Sequence, residues 1–239
     1  MRYWRGFRDG IPIALGYLSV SFAFGIQAIS LGLTPLQAVL ISLLNVTSAG
    51  QLAGLQLMVG GAGLPEMALT QLTINLRYAL MSISLSQKLD DSMTTPHRLL
   101  LSFCNTDEVF AVASSQRGKV GRAYLYGLTN GPFVGWVLGT ALGALAGGLL
   151  PKAVTDALGI AIYGMFIAIV LPPARAMREV RVVVLIAVAM SCLISFLPAL
   201  SFISDGFRII ICAVTASALG AWLLPPPLKD EDEEQEAQG

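Results

Sequence analysis

The stretch RAYLYGLTNGPFVGWVLGTALGALAGG, residues 122–148, holds no charged side chain after Arg122 and is longer than the roughly 20 apolar residues needed to cross bilayer hydrocarbon. Gly127, Gly131, Gly135, Gly139, Gly143 and Gly147 recur at every fourth position, so a helix built from this stretch carries a glycine ridge. Such a ridge lets a second backbone approach closely, and it reads as a helix-packing face, either internal or toward a partner subunit. Pro132 permits a kink near Asn130.

Outward from this stretch, comparable apolar windows fall near 11–31, 36–59, 64–86, 99–115, 153–172, 180–199 and 206–224. Together they predict an all-α, polytopic transmembrane bundle of seven or eight spans. The fourth window is the weakest, being short and holding Asp107 and Glu108, and a broken or partial crossing is the alternative reading of it, which gives the count of seven. Composition agrees: of 239 residues 55% are hydrophobic and 13% charged, with a mean hydropathy of +0.70. A water-facing surface does not tolerate that balance at this length. Residues 1–227 read as one permease domain. The segment 228–239, with six of the fifteen acidic residues between Lys229 and Glu236, reads as a disordered acidic tail.

Basic residues near span ends favour the cytoplasm. With eight crossings, ten of the fifteen fall there: Arg2, Arg5, Arg8, Arg117, Lys119, Arg122, Arg175, Arg178, Arg181 and Lys229. Lys88, Arg98, Lys152 and Arg208 would lie outside. This predicts a multi-pass protein of the bacterial cytoplasmic membrane with both termini cytoplasmic. The first window follows Arg2, Arg5 and Arg8 but lacks a small-residue cleavage site, so it reads as a retained span rather than a signal peptide. Cys104, Cys192 and Cys212 stand singly in apolar stretches and read as small buried hydrophobes. His97, beside Pro96, reads as a solvated loop residue.

Polar residues at membrane depth are the candidates for function. Gln71, Asn75, Arg77 and Tyr78 lie in the third window. Arg77 sits about 200° around a regular helix from Asn75, which predicts a distortion near 75–78 if both serve one site. The fourth window supplies Asn105, Asp107 and Glu108, and either carboxylate is a counter-charge for Arg77, in a gating pair or as a clamp between helices. The second window concentrates Asn45, Thr47, Ser48, Gly50 and Gln51, which predicts a broken helix near 45–51. Broken helices expose N–H ends that suit a carboxylate and carbonyl ends that suit an ammonium group. Close packing through Gly50 and Gly54 accounts for the same residues.

Taken in order, Gly10-Ile-Pro-Ile with Gly16-Tyr17, Phe22-Ala-Phe-Gly25, Gly32-Leu-Thr-Pro-Leu-Gln-Ala38, Ser48-Ala-Gly-Gln51, Asn75-Leu-Arg-Tyr78 and Thr106-Asp-Glu-Val-Phe-Ala111 resemble the AzlC family. These are large subunits of bacterial branched-chain amino acid export permeases. Two motifs depart from the family pattern: Tyr78 stands where a His is common, and Ser48-Ala-Gly-Gln51 replaces a Gly-Ala-Ser-Gln run. The resemblance implies export of leucine, isoleucine and valine together with a small AzlD-type membrane subunit. It makes Asn45, Ser48, Gln51, Gln71, Asn75 and Tyr78 candidates for substrate binding, and Arg77, Asp107, Glu108 and Asn105 candidates for gating or coupling.

The sequence shows no phosphate-cradling glycine loop with lysine, no metal-ligand cluster and no nucleophile with a base. No cofactor is expected, and a transporter is favoured over an enzyme. A carrier or channel for another small solute, and a non-transporting assembly subunit, are the alternatives.

Overall fold

Glycine decides the central contact. The computed structural model describes residues 2–147, 170–197 and 202–224, with isolated positions 151, 153, 167 and 200. Most of the sixth apolar window and the whole acidic tail lie outside the described residues. The chain divides into two compact units, Met1–Ile167 and Ala168–Gly239.

In the first unit α1 (Arg2–Ser30) and α7 (Arg122–Gly147) run parallel with their backbones in contact. A Cβ added at Gly127 would lie 2.1 Å from the Tyr3 carbonyl oxygen, and one at Gly143 would lie 2.0 Å from that of Phe22. The fit is reciprocal, since Gly6 and Gly25 of α1 meet the carbonyls of Tyr124 and Thr140. The ridge is thus an internal packing face, tightest at Gly127, Gly135, Gly139 and Gly143; at Gly131 the nearest atom to an added Cβ is 3.7 Å away. Both helices continue through a proline, Pro12 in α1 and Pro132 in α7. The Leu128 carbonyl, which lacks the N–H that residue 132 would otherwise supply, faces Gly10.

The second window is two helices, α2 (Pro35–Leu44) and α3 (Ser48–Val59), interrupted at Asn45, Val46 and Thr47. The Asn45 Oδ1 accepts from the Thr47 backbone N–H and hydroxyl, forming a local turn that competes with helix. α2 starts under a Thr34–Gln37 capping box with Pro35 in its first turn. It runs antiparallel to α7: Ala38 shares a cluster with Ala144, Ser42 bonds Thr140, and the Asn45 carbonyl meets Trp136. Past the break the chain turns back. Leu55 of α3 rejoins Phe24, Ala28, Ala38 and Ala144, the cluster from which α2 set out. The pair is a re-entrant hairpin and not a crossing.

α4 (Leu64–Ser86) is continuous and 23 residues long, about 34 Å at 1.5 Å per residue. It returns the chain to the N-terminal face, where Asp90 lies 3.7 Å from Arg2 and Leu89 pairs with Val120. From this face α5 (Thr95–Ser102) rises beside α7, with His97 at Tyr126 and Phe103 at Phe133. After a break at 103–106, α6 (Asp107–Ser114) descends along α1, from Tyr17 at Thr106 to Arg5 at Gln116. This is a second re-entrant hairpin, entering from the face opposite the first.

The structure corrects three expectations. The distortion expected at 75–78 is absent, because α4 lies between α3 and α6 and presents Asn75 to one and Arg77 to the other without bending. Lys88 and Arg98 share a face with Arg2 and Arg122, because the fourth window does not cross. His97 is a helical, half-buried residue, and Tyr126 rather than solvent meets its Nδ1.

In the second unit α8 (Arg178–Phe196) and α9 (Asp205–Leu223) form an antiparallel pair, with Arg208 bonded to Ser195 and Gly220 against Val183. Cys192 is exposed on α8 instead of buried. α1, α8 and α9 are the described helices both long and apolar enough to cross a membrane. α4 and α7 have the length, but polar residues and glycine dilute their apolar character.

Two outcomes follow for the intact protein in membranes. In a cysteine-free background, Leu33→Cys and Ala62→Cys should react with an impermeant maleimide from one face and Asp91→Cys and Lys119→Cys from the other. Reaction of Leu33→Cys and Ala62→Cys from opposite faces would mean that the second window crosses. Gly143→Val should destabilise the detergent-solubilised protein by about 3 kcal/mol or prevent its accumulation, as overpacking does, whereas Gly131→Ala should stay within about 1 kcal/mol in thermal unfolding.

Candidate functional site

The two hairpin tips meet α1 and α7 at one level, through one aromatic residue from each helix. Tyr17 and Trp136 pack edge to face, with ring centroids 5.2 Å apart. Each ring spends its polar handle on a different hairpin. The Trp136 indole N–H reaches Gln51 Oε1 at 3.0 Å and the Asn45 carbonyl at 3.2 Å. Gln51, 1% exposed, donates from Nε2 to Ser42 Oγ at 2.5 Å, and Ser42 bonds Thr140 at 2.7 Å. This buried network ties α2, α3 and α7 together and occupies both ends of the Gln51 amide. Gln51 therefore holds the hairpin rather than presenting a free group.

The Tyr17 hydroxyl donates to Glu108 Oε2 at 2.5 Å and lies 2.6 Å from Thr106 Oγ1. A phenol has one proton, so the Thr106 hydroxyl is the donor in the second contact. Asp107 and Glu108 occupy the first turn of α6, where the positive end of the helix dipole favours carboxylates. Asp107 pairs with Arg77 at 2.7 Å, and Arg77 also donates to the Tyr78 hydroxyl at 3.0 Å while its guanidinium lies over the Tyr78 ring. Of the two carboxylates, the one beside Arg77 is thus Asp107; Glu108 belongs to Tyr17. The ion pair is half exposed, at 48% and 45%.

On the other flank of α4, Gln71 Nε2 donates to the Gly50 carbonyl at 2.7 Å, and Asn75 Nδ2 donates to Gln71 Oε1 at 3.1 Å. Gly50 is needed for this approach, since a Cβ there would sit 2.8 Å from Gln71 Oε1 and 3.1 Å from Asn75 Nδ2. Asn75 Oδ1 is buried without a partner. Ser48 opens α3, whose N-cap Thr47 makes no side-chain cap because its hydroxyl is turned to Asn45. Asn105 donates to Ser82 and lies apart from the ion pair, on the wall of a cavity between α4, α5, α6 and α7.

Nine of the ten polar candidates thus flank the hairpin tips or the two faces of α4, and Asn105 lies below them at the second tip. Tyr17, Ser42, Trp136 and Thr140 were missed. An aromatic ring with a polar handle inside a glycine-rich apolar helix is the signal that points to Trp136. Tyr17 lies within the Gly16-Tyr17 motif but carries no mark of its partner. Among the described residues no cluster of metal-binding side chains occurs.

A family model described as AzlC protein matches residues 12–150, the segment that builds both hairpins. The chain is 32% identical over 176 residues to the inner membrane protein YgaZ of Escherichia coli K12, covering 71% of this chain and 72% of that one. It is 36% identical over 184 residues to an uncharacterized membrane protein of Archaeoglobus fulgidus, covering 74% and 80%. Over 173 residues it is 25% identical to a Bacillus subtilis protein named branched-chain amino acid transport protein AzlC, covering 70% and 67%. No solved structure matches the chain.

Trp136→Phe takes the donor from buried Gln51 Oε1, and Gln51→Leu removes the bonds to both Trp136 and Ser42, each loss costing about 1–3 kcal/mol. Gln51→Leu and Trp136→Phe should each lower thermal stability by that amount. The double variant should cost less than the sum, because both single variants lose the same Trp136–Gln51 bond and Gln51 Oε1 is left unpaired only in Trp136→Phe. Strict additivity in a double-mutant cycle would show that the two side chains do not share a bond.

Proposed function

This chain belongs to the AzlC family of membrane proteins, and on that premise we propose that it is a secondary transporter exporting branched-chain amino acids across the cytoplasmic membrane. The observation that carries the reading is the meeting, at one level, of two re-entrant hairpins from opposite faces around a charged centre. Non-helical backbone at membrane depth is tolerated where it is enclosed by protein or lines a water-filled path, and transporters place substrate sites at such breaks. The N-terminal ends of α3 and α6 both point to this level. The first carries no acidic residue and suits a carboxylate; the second carries Asp107 and Glu108, which suit an ammonium group.

In this reading the zwitterionic end of the substrate lies between the tips, near Ser48 and Asn75 on one side and Arg77, Tyr78, Asp107 and Glu108 on the other. Neighbouring aliphatic side chains differ by about 1–3 kcal/mol per methylene in an apolar pocket, so leucine, isoleucine and valine share one transporter. Protonation of Asp107 or Glu108 would loosen its partner, Arg77 or Tyr17, and let a hairpin move. A half-exposed ion pair at membrane depth is costly unless water or protein covers it, and a small AzlD-type subunit seated on α4 and α6 would cover its outer side. The N-terminal face carries Arg2, Arg5, Lys88, Arg98, Arg117, Lys119 and Arg122 and is assigned to the cytoplasm.

Cells preloaded with labelled leucine, isoleucine and valine test this directly. Efflux should rise when this chain is expressed with an AzlD-type subunit, and Arg77→Ala should reduce it tenfold or more at equal membrane abundance. Efflux equal to that of cells lacking the chain, for all three amino acids, would refute the substrate assignment. Asp107→Asn or Glu108→Gln should alter the pH dependence of export; an unchanged profile in both would remove the coupling role.

A further inference from the structure

Below the tip of the second hairpin, α4, α5, α6 and α7 line a partly open cavity of about 110 Å³ that extends from Met93 and Arg98, on the face carrying Arg2, up to Asn105. Its walls are apolar over most of their area, with Leu85, Leu101, Val109 and Leu125 contributing side chains from four helices. Ser82, Asn105 and Thr129 contribute polar groups toward the upper end, while Ser86, Ser102 and Arg98 complete the polar lining. A cavity of about 150 Å³ accommodates a benzene ring, so this volume suits a branched four-carbon side chain.

Asn105 is 6% exposed, and its two ends differ. Nδ2 donates to Ser82 Oγ at 2.9 Å, whereas Oδ1 has no hydrogen-bond partner. A buried carbonyl oxygen without a donor costs about 1–3 kcal/mol, a penalty that a ligand with N–H groups removes. Asn105 lies between the C-terminus of α5 and the N-terminus of α6, so the two helix dipoles offset one another here and the free Oδ1 decides the preference. An acceptor without a donor favours an ammonium group. The Ser82 hydroxyl accepts from Asn105 and keeps its own proton to donate to a carboxylate.

We infer that this cavity is a loading site, distinct from the centre between the hairpin tips, in which Asn105 Oδ1 accepts from the ammonium group of an aliphatic amino acid and the apolar walls take its side chain. The inference rests on the transporter reading above. It adds the position at which the substrate is first held on the N-terminal face, and it gives Asn105 a role in recognition instead of gating.

The test uses the full-length protein in lipid nanodiscs, with Kd measured for leucine, for 3-methylbutylamine, which lacks the carboxylate, and for 4-methylpentanoate, which lacks the ammonium group. Asn105→Leu removes the acceptor at similar volume and should weaken leucine and the amine tenfold or more while leaving the carboxylate's affinity unchanged. Asn105→Asp keeps an acceptor there and should preserve leucine binding. A purely structural Asn105 would shift all three ligands together. Independently of Asn105, leucine should slow thiol modification of Ser102→Cys on the cavity wall several-fold in a background with the native cysteines replaced. Equal leucine affinity in wild type and Asn105→Leu, or no protection of Ser102→Cys, would overturn the loading site alone. No leucine binding by the wild type would overturn the amino-acid assignment with it.

Discussion

The backbone contact between α1 and α7 is the constraint from which the first unit is built. Lipid tails solvate apolar side chains as well as other helices do, so helices associate in a membrane through close van der Waals packing and polar bonds rather than through exclusion of water. The glycines of both helices remove the side chains that would hold the backbones apart, and carbonyl oxygens occupy the space where Cβ atoms would stand. Because the match involves both helices along most of their length, it sets their parallel direction and their register. Tyr17 and Trp136 are placed by that register, and with them the points to which both hairpins are tied.

The hairpins illustrate how irregular backbone is accommodated at membrane depth. Unpaired N–H and C=O groups are expensive there, and each break is enclosed by neighbouring helices and satisfied by side chains. At the first tip Asn45, Gln51, Ser42, Thr140 and Trp136 close a network around it. At the second, Thr106 and Glu108 bond Tyr17, and Asn105 is left half satisfied beside a cavity. The first hairpin is therefore locked and the second carries the charged groups and the spare acceptor. That asymmetry is the physical basis of our proposal that the second hairpin, α5 and α6, takes part in coupling and recognition.

Much of this was legible in the residues. A charge-free run with glycine at every fourth position can form only a close-packed apolar helix, and the dense cluster around Asn45 to Gln51 marked a break because Asn and Thr side chains compete for backbone bonds. The cost of an unpaired guanidinium at membrane depth named the fourth window as the source of a counter-charge for Arg77. The short fourth window with Asp107 and Glu108 was legible as a broken or partial crossing, but the position of its break at 103–106 was not, because the composition there resembles that of a polar patch within a span. The distortion expected near 75–78 came from treating the two faces of α4 as if they had to serve one neighbour.

Composition, periodicity and the expense of buried charge determined by themselves that the chain is helical, lies in a membrane, holds polar residues at depth and has Asp107 and Glu108 as candidate counter-charges for Arg77. Tertiary structure alone decided that the second and fourth windows turn back instead of crossing, that Lys88 and Arg98 join the N-terminal face, and that Asp107 rather than Glu108 meets Arg77. The reason is one of range. Hydropathy reports whether a segment is immersed, which depends on each residue and its near neighbours in sequence. Whether a broken helix continues across or folds back depends on which distant partners, here Tyr17 on α1 and Trp136 on α7, satisfy its exposed backbone and tip residues.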